Sequence, residues 1–276
     1  MKTRIITAIV ALAVFAAVLI APPIVFTIAL ALVILFMLYE CYSATKADTA
    51  MKIVGFMSAV LMMLTMYFSM SSKNGSGLVF VFIAATIILL LYMSLIVKEH
   101  GKKNYKDILS NGFLMLYVTV SMWCILFTKQ FFGISFMLLI FICAWSCDTF
   151  AYFSGRFLGK HKLIPYVSPN KTVEGSIGGV IGAIICCLIY LFILDKLPYN
   201  IAFNTQYAVS FAVIGLVGGI FSQIGDLIAS SIKRDEDIKD FGWIFPGHGG
   251  FMDRFDSVMF IAPIVLILSI GSLFLI

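Results

Sequence analysis

A cluster of charged residues lies between two long apolar stretches near the carboxyl end of the chain. The segment 230–256 reads SSIKRDEDIKDFGWIFPGHGGFMDRFD and holds 10 of the charges carried by the chain's 19 basic and 14 acidic side chains. Because the chain is 62% hydrophobic and only 12% charged, this concentration indicates a segment that handles charged ligands. Carboxylates suit a hard cation such as Mg²⁺, whereas arginine, lysine and loop amides suit phosphate. Phosphate and metal binding are therefore the predicted chemistry.

Asp226 lies just before this segment, inside an apolar stretch. Ser222, Asp226, Ser230 and Lys233 recur at intervals of four, four and three residues, so a helix presents them on one face. A carboxylate in or at the end of such a helix is costly, so Asp226 should face a cavity, a partner or a cation. A structural salt bridge to Lys233 or Arg234 is the alternative.

A glycine-rich loop follows the charged helix end. It contains Gly242, Pro246, Gly247, His248, Gly249 and Gly250. Glycines let backbone amides approach an anion closely. Because Asp253, Arg254 and Asp256 come next, at the start of an apolar run, this part of the chain is predicted to bind a cation together with phosphate.

A second polar segment, 148–174, precedes another apolar run. Asp148, Tyr152, Gly155 and Arg156 are spaced so that a helix places them on one stripe. Ser168 and Pro169 resemble a helix N-cap followed by proline at the first helical position.

That helix start would carry Lys171, Thr172 and Glu174 into the next span. A helix N-terminus beside a lysine favours phosphate. As the alternative, Arg156, Lys160 and Lys162 only anchor the loop to lipid headgroups and Ser168 only caps a helix.

The elements that carry these residues are predicted to be transmembrane helices. A mean hydropathy of +1.06 excludes an ordinary soluble domain. Apolar runs approach the ~20 residues that a membrane crossing needs. They cover 5–21, 24–39, 53–70, 78–97, 112–128, 131–147, 175–194, 207–230 and 257–276. The predicted fold is therefore an all-α, polytopic integral membrane protein with about nine transmembrane helices, of which 112–147 forms a hairpin of two.

The basic residues predict the orientation of these helices. With a cytoplasmic N-terminus, 16 lysines and arginines lie inside and 3 outside. Nine spans then place the C-terminus outside. The net charge of +5 needs no nucleic acid partner, because inner-loop lysines near anionic lipids account for it. The protein is expected in the cell (inner) membrane as a multi-pass protein whose active site faces the cytoplasm.

Two regions follow from this organisation. Residues 1–110 form about four N-terminal spans, and 111–276 form a catalytic region with cytoplasmic loops 148–174 and 231–256. The first run is read as an uncleaved helix, although Lys2 and Arg4 also resemble a signal peptide. The six cysteines are expected to be reduced packing residues. Glycines spaced four apart are expected to pack the seventh and eighth spans closely.

Two motifs carry a resemblance to a known family of membrane enzymes. The first comprises Ser230, Ile232, Lys233, Arg234, Lys239, Asp240, Gly242, Phe245, Pro246, His248, Gly249, Gly250, Asp253, Arg254 and Asp256. The second comprises Asp148, Ala151, Tyr152, Gly155, Gly159 and SPNKTVEG at 168–175. Together they resemble the phosphatidate cytidylyltransferases, or CDP-diacylglycerol synthases. The first 110 residues match that family only in hydropathy.

The resemblance implies transfer of CMP from CTP to phosphatidic acid, with Mg²⁺ required and a second cation as a further expectation. The metal ligands expected on this basis are Asp226 and Asp253, then Asp256 and Asp148. The catalytic residues expected are Lys171, Lys233, Arg234, Lys239, His248 and Arg254. Substrate contacts are expected from Ser168, Lys171, Glu174, Ser230, Pro246, Gly247, His248, Gly249 and Gly250.

The expected partners are CTP, phosphatidic acid and the lipid bilayer, and a homodimer is a further expectation. Three other functions stay open at this point. A CTP-dependent polyprenol kinase would release CDP instead of pyrophosphate. A CDP-archaeol synthase would use an ether lipid. A secondary transporter of an anionic solute would move its substrate without nucleotide turnover.

Overall fold

The computed structural model describes residues 2–72, 76–197, 201, 203–247 and 249–273. This part of the chain contains eight helices and one two-stranded sheet. The helices are α1 (Lys2–Ile20), α2 (Pro23–Ala44), α3 (Thr49–Ser71), α4 (Ser76–Lys98), α5 (Tyr105–Leu158), α6 (Val173–Asp195), α7 (Thr205–Asp235) and α8 (Met252–Leu273). The strands are β1 (Lys162–Ile164) and β2 (Ser168–Thr172).

Within the described ranges, six helices, α2 to α7, are long and apolar enough to cross a membrane. The helical architecture and these apolar lengths are those of a multi-pass membrane protein, which confirms the predicted fold class at that level. The count of nine spans and the orientation of the two termini stay predictions.

Helix α5 is interrupted at Gly133. Its 54 residues would extend about 80 Å as one straight helix, far more than a ~30 Å hydrocarbon core. Gly133 adopts φ 82° and ψ 177°, a conformation that a helix excludes and that glycine tolerates because it has no Cβ. The break supports the prediction of two crossings between residues 112 and 147.

The chain forms two compact units. The first comprises residues 1–123 and 240–253 and contains α1 to α4. Its buried apolar core includes Ile34, Met37 and Leu38 of α2 and Met62 and Met63 of α3. The unit therefore combines the N-terminal helices with the glycine-rich loop, which follows them by more than a hundred residues.

The second unit comprises residues 124–239 and 254–276. Its helices approach each other at glycines, as the sequence predicts. A methyl group on Gly215 of α7 would lie 2.7 Å from Cα of Ile184, and one on Gly179 of α6 would lie 2.9 Å from the carbonyl oxygen of Cys147. All six cysteines of the chain are free and five are buried, in agreement with their predicted role in packing.

A short hairpin joins α5 to α6 in this unit. Strand β2 pairs antiparallel with β1 in the register Lys162↔Thr172 and Ile164↔Ser168. The prediction that Ser168 caps the next helix is therefore wrong, because Ser168 and Pro169 belong to a strand. Helix α6 begins at Val173, and the Thr172 hydroxyl accepts the amide hydrogen bond of Gly175 at 3.1 Å.

Candidate active site

A cavity of about 360 Å³ opens in the second unit, between the end of α5, the hairpin, the start of α6 and α7. Its lining residues are Asp148, Ala151, Tyr152, Gly155, Arg156, Leu163, Asn170, Lys171, Thr172, Gly175, Ser176, Gln223 and Asp226. The predicted stripe from Asp148 to Arg156 is confirmed as part of one helix, because α5 continues to Leu158. The polar segment 148–174 thus meets Gln223 and Asp226 of α7 around one cavity, whereas no described residue of the segment 230–256 lines it.

Asp226 and Lys171 form an ion pair in this cavity. Oδ2 of Asp226 lies 2.5 Å from Nζ of Lys171, and each side chain keeps little more than a quarter of its surface exposed. The Ser230 hydroxyl donates to Oδ1 of Asp226 at 3.3 Å. The sequence suggested Lys233 or Arg234 as the structural partner, but the observed partner is Lys171 on strand β2.

Two further carboxylates lie near this pair. Oδ2 of Asp148 accepts a hydrogen bond of 3.4 Å from the Ser257 hydroxyl. Asp256 is 9% exposed, and its Oδ1 accepts the backbone amide of Ser257 at 2.7 Å. Asp148, Asp226 and Lys233 all interact electrostatically with Asp256. Three carboxylates thus share one shielded neighbourhood, where their mutual repulsion favours a bound cation.

The carboxylate oxygens of these three residues suit a divalent ion, although they are not arranged as a complete metal-binding site. Asp148, Asp226 and Asp256 offer the hard oxygens that Mg²⁺ prefers. Within the residues that the structure describes, no group of three or more His, Cys, Asp or Glu side chains is arranged to hold a metal ion. Because the Lys171 ammonium group contacts Oδ2 of Asp226, an ion that used this oxygen would have to displace it.

Of the other predicted basic residues of the second unit, Lys233, Arg234 and Arg254 lie in the terminal turns of helices. Lys233 and Arg234 occupy the last turn of α7, where positive charge complements the helix dipole. Nε of Arg234 donates to the carbonyl oxygen of Val167 at 3.4 Å. Lys239 and Arg254 are exposed.

Glu174 and Ser168 have local partners at the hairpin. Oε2 of Glu174 accepts the backbone amides of Lys160 and His161 at 3.0 and 3.3 Å. Its Oε1 lies 2.6 Å from Nδ1 of His161. Ser168 is the first residue of β2. In this conformation Glu174 fixes the start of the hairpin, and the substrate contacts predicted for Glu174 and Ser168 stay predictions.

The glycine-rich loop belongs to the first unit. It folds back on itself, with the Phe245 amide donating to the Gly249 carbonyl oxygen at 2.9 Å. Gly247 and Gly249 both adopt φ 78°, which favours glycine over every other residue. Pro246 and Gly250 lie in the same loop, whereas the predicted catalytic and substrate-binding residue His248 lies outside the described residues.

Asp253 closes this loop. It is 8% exposed, and its Oδ2 accepts the backbone amides of Phe241 at 2.8 Å and Gly250 at 3.0 Å. Helix α8 begins at Met252, five residues before the apolar run predicted from residue 257, so its first turn holds Asp253. In this structure Asp253 therefore organises the loop backbone, and its role as a metal ligand stays a prediction.

Glu40 also reaches this loop, and it is absent from the residues predicted above. It lies on α2, is 3% exposed, and accepts the amides of Phe251 and Met252 at 3.0 and 2.8 Å. The sequence carries a signal that could have identified it: Glu40 is the first acidic residue of the chain and directly follows an apolar run. A carboxylate at the end of a span calls for a partner.

Comparison with known proteins supports the resemblance. The model of the Cytidylyltransferase family matches residues 2–270. The chain is 40% identical over 159 residues to the phosphatidate cytidylyltransferase of Staphylococcus saprophyticus, covering 58% of this chain and 54% of that protein. It is 38% identical over 161 residues to the enzyme of that name from Staphylococcus aureus strain COL, covering 58% and 55%.

A third relative, the phosphatidate cytidylyltransferase of Staphylococcus epidermidis, is 41% identical over 140 residues, or 51% of each chain. The chain thus spans about half the length of the curated relatives it matches. The family match covers nearly every residue of the chain, and by that criterion the chain belongs to the Cytidylyltransferase family.

Proposed function

We propose that this protein is a phosphatidate cytidylyltransferase, which transfers CMP from CTP to phosphatidic acid and releases pyrophosphate. The observation that carries this proposal is the cavity of the second unit, because its lining combines basic groups for phosphate with carboxylates for a cation. Arg156 and Lys171 supply the positive charges, and Asp148 and Asp226 the negative ones. The names of the relatives support the same substrates.

The reaction needs positioning more than acid–base chemistry. The phosphate monoester of phosphatidic acid is largely ionised near neutral pH, with a second pKa of ~6 by analogy with phosphoserine. Its oxygen therefore attacks the α-phosphorus of CTP without a general base. A new P–O bond forms, the bond from the α-phosphorus to the bridging oxygen breaks, and that oxygen leaves with pyrophosphate. The resulting lipid is CDP-diacylglycerol.

In this proposal, residues that line the cavity and residues near it neutralise and orient the phosphates. Lys171, Lys233 and Arg234 bind phosphate oxygens, and the Ser230 hydroxyl keeps the Asp226 carboxylate oriented. Asp226, Asp256 and Asp148 would hold Mg²⁺. The metal-ligand role of Asp253 and a second cation stay separate predictions. Bound Mg²⁺ would supply positive charge for the crowded phosphate oxygens.

The proposal also places the protein in the membrane. It is a multi-pass protein of the cell (inner) membrane whose cavity faces the cytoplasm, where CTP is available. The division of basic residues, 16 inside and 3 outside, supports this orientation. A homodimer stays a prediction, which native mass spectrometry of the purified protein would decide.

One assay tests the proposed activity. Purified protein in mixed micelles is incubated with CTP, phosphatidic acid and Mg²⁺, and each component is omitted in turn. We expect CDP-diacylglycerol and pyrophosphate in equal amounts only when all three are present. Release of CDP with a phosphorylated polyprenol, or selective use of an ether-linked phosphatidate, would contradict the proposal, as would solute flux without nucleotide turnover.

A further inference from the structure

Glu40 holds the start of α8 with both of its carboxylate oxygens. Oε1 accepts the amide of Phe251 and Oε2 that of Met252, the first residue of α8. Amides at a helix N-terminus lack acceptors within the helix, and negative charge is favourable there. Glu40 thus satisfies two donors that the helix itself leaves open, from a position 211 residues away from Phe251.

The loop backbone is fitted around this carboxylate. A Cβ atom on Gly242 or on Gly250 would overlap Oε1 of Glu40. Positions 242 and 250 therefore require glycine because a side chain has no space there. At Gly247 and Gly249 the reason is different, since a positive φ favours glycine. One turn earlier on α2, the ring of Phe36 stacks on Phe251 with centroids 5.6 Å apart.

Two acids share the amides of this loop. Asp253 accepts those of Phe241 and Gly250, and Glu40 accepts those of Phe251 and Met252. Both carboxylates are buried, so these hydrogen bonds must offset the cost of removing each charge from water. An apolar residue at position 40 would avoid burying a charge, but it would leave two amides without acceptors.

We propose that Glu40 is a positioning residue for the transfer reaction. It acts through the loop 241–251 and the first turn of α8, where Asp253 lies, and does not itself touch substrate. This inference rests on the proposed cytidylyltransferase function. In this proposal a residue of the N-terminal helix α2 sets the backbone geometry of a motif near the other end of the sequence.

The test compares full-length Glu40→Gln, Glu40→Asp and Ser43→Ala in lipid nanodiscs. Glutamine keeps the size of the side chain but turns an NH₂ group toward one of the two amides. Hydrogen–deuterium exchange of peptides covering 241–252 should become faster in Glu40→Gln. We expect its kcat to fall about 10- to 100-fold while KM for each substrate changes less than about threefold.

Two variants provide the comparison. Glu40→Asp keeps the charge on a shorter side chain and should recover part of the lost kcat and of the exchange protection. Ser43 lies on the same helix, and its exposed hydroxyl donates to the Tyr39 carbonyl oxygen at 2.7 Å. Ser43→Ala should match the wild-type protein in all three measurements.

A double substitution tests the contact itself. Gly242→Ala should lower activity because its methyl group overlaps the Glu40 carboxylate. In a Glu40→Ala background this overlap is gone, so adding Gly242→Ala should cause a clearly smaller further loss of activity. If Gly242→Ala lowers activity equally in the wild-type and Glu40→Ala backgrounds, the contact between position 242 and Glu40 does not matter for activity, and the inference fails.

Unchanged exchange in Glu40→Gln would overturn the inference. So would an activity loss that only follows the unfolded fraction in a thermal melt, because a merely structural residue would behave in that way. If the wild-type protein transfers no CMP, the proposed function and its positioning residue both fail, and the exchange data still decide whether Glu40 anchors the loop.

Discussion

Asp226 carries negative charge into the cavity, where Lys171 and Ser230 contact its two oxygens. Asp226→Asn keeps the size of the side chain but removes the charge that a cation needs. We expect turnover to fall by about 100-fold or more, because a weakly held cation would no longer offset the negative charge of the phosphate oxygens. The rate at saturating CTP and phosphatidic acid measures this loss, and a thermal melt of the same sample measures folding.

Asp235 provides the matched control for this change. It is an exposed aspartate at the end of the same helix, in the acidic turn that includes Asp237 with φ 55°. Asp235→Ala should cost little, since exposed ion pairs contribute only ~0 to 1 kcal/mol. Full turnover in Asp226→Asn at an unchanged Mg²⁺ requirement would show that Asp226 is not a metal ligand.

Lys171 is predicted to compete with the metal ion for Asp226. Its ammonium group contacts the oxygen that a cation would use. In Lys171→Gln this competitor is gone, so the Mg²⁺ concentration for half-maximal activity should fall. KM for CTP should rise about tenfold, because a phosphate contact is lost. Initial rates over a grid of Mg²⁺ and CTP concentrations separate the two effects.

Lys162 on the same hairpin is the control for Lys171. It is exposed, and its Nζ donates to the Pro169 carbonyl oxygen at 2.6 Å. Lys162→Gln should leave both constants near their wild-type values. An unchanged or higher Mg²⁺ requirement in Lys171→Gln would contradict the competition.

Sequence reasoning located the acids of the cavity but missed their contacts. Asp148 and Asp226 stand out because charge is rare and costly in an apolar helix. The pairing of Asp226 with Lys171 was not predictable, since it depends on a tertiary contact across 55 residues. Glu40 was missed for a similar reason: its partners lie more than 200 residues away.

At the level of elements, hydropathy predicted the helices but not where α5 and α7 end. The predicted spans stop at residues 147 and 230, whereas α5 continues to Leu158 and α7 to Asp235. An apolar run ends at the first charges, while backbone hydrogen bonding continues through them. The signature residues Asp253, Arg254 and Asp256 consequently lie within α8 and not in a loop.

The β-hairpin shows a second limit of local patterns. Ser168 followed by Pro169 is typical of a helix start, but a proline is also tolerated in a two-stranded hairpin. Which structure forms depends on pairing with Lys162–Ile164, and a local helix-cap pattern carries no information about this pairing. The cap of α6 moved four residues on, to Thr172.

This revised cap predicts a difference between two hydroxyl residues of β2. Thr172→Val preserves shape but removes the acceptor for the Gly175 amide, so it should destabilise the protein by about 1 kcal/mol. Ser168→Ala should change the thermal midpoint less, because Ser168 caps no helix. Melting both variants side by side checks the cap. A larger destabilisation by Ser168→Ala would favour the original placement of the helix start.

At the scale of the whole molecule, the orientation in the membrane determines whether the cavity is accessible to CTP from the cytoplasm. The cavity lies at the start of α6, and this helix runs for 23 residues to Asp195. A helix of that length extends about 35 Å, enough to cross the hydrocarbon core. Thr172 at its start and Lys196 at its end should therefore lie on opposite sides of the membrane.

The side on which each end lies can be measured by thiol labelling. Single cysteines replace Lys196, Asn104 or Asp237 in a background without the six native cysteines. Lys196 is largely exposed, and Asn104 and Asp237 lie in exposed turns. The basic residues place Lys196 outside and the other two inside. A membrane-impermeant thiol reagent should therefore label Lys196→Cys in sealed right-side-out vesicles, and the other two only after permeabilisation.

Lys196 serves as the outside probe because Lys73 and Asn200, which also fall in predicted outer loops, lie outside the described residues. Each variant must first show wild-type turnover, so that its labelling reports the folded protein. If Asn104→Cys and Asp237→Cys react from outside while Lys196→Cys does not, the cavity would open away from the cytoplasm. CTP is scarce there, so that pattern would contradict both the predicted orientation and the proposed use of CTP.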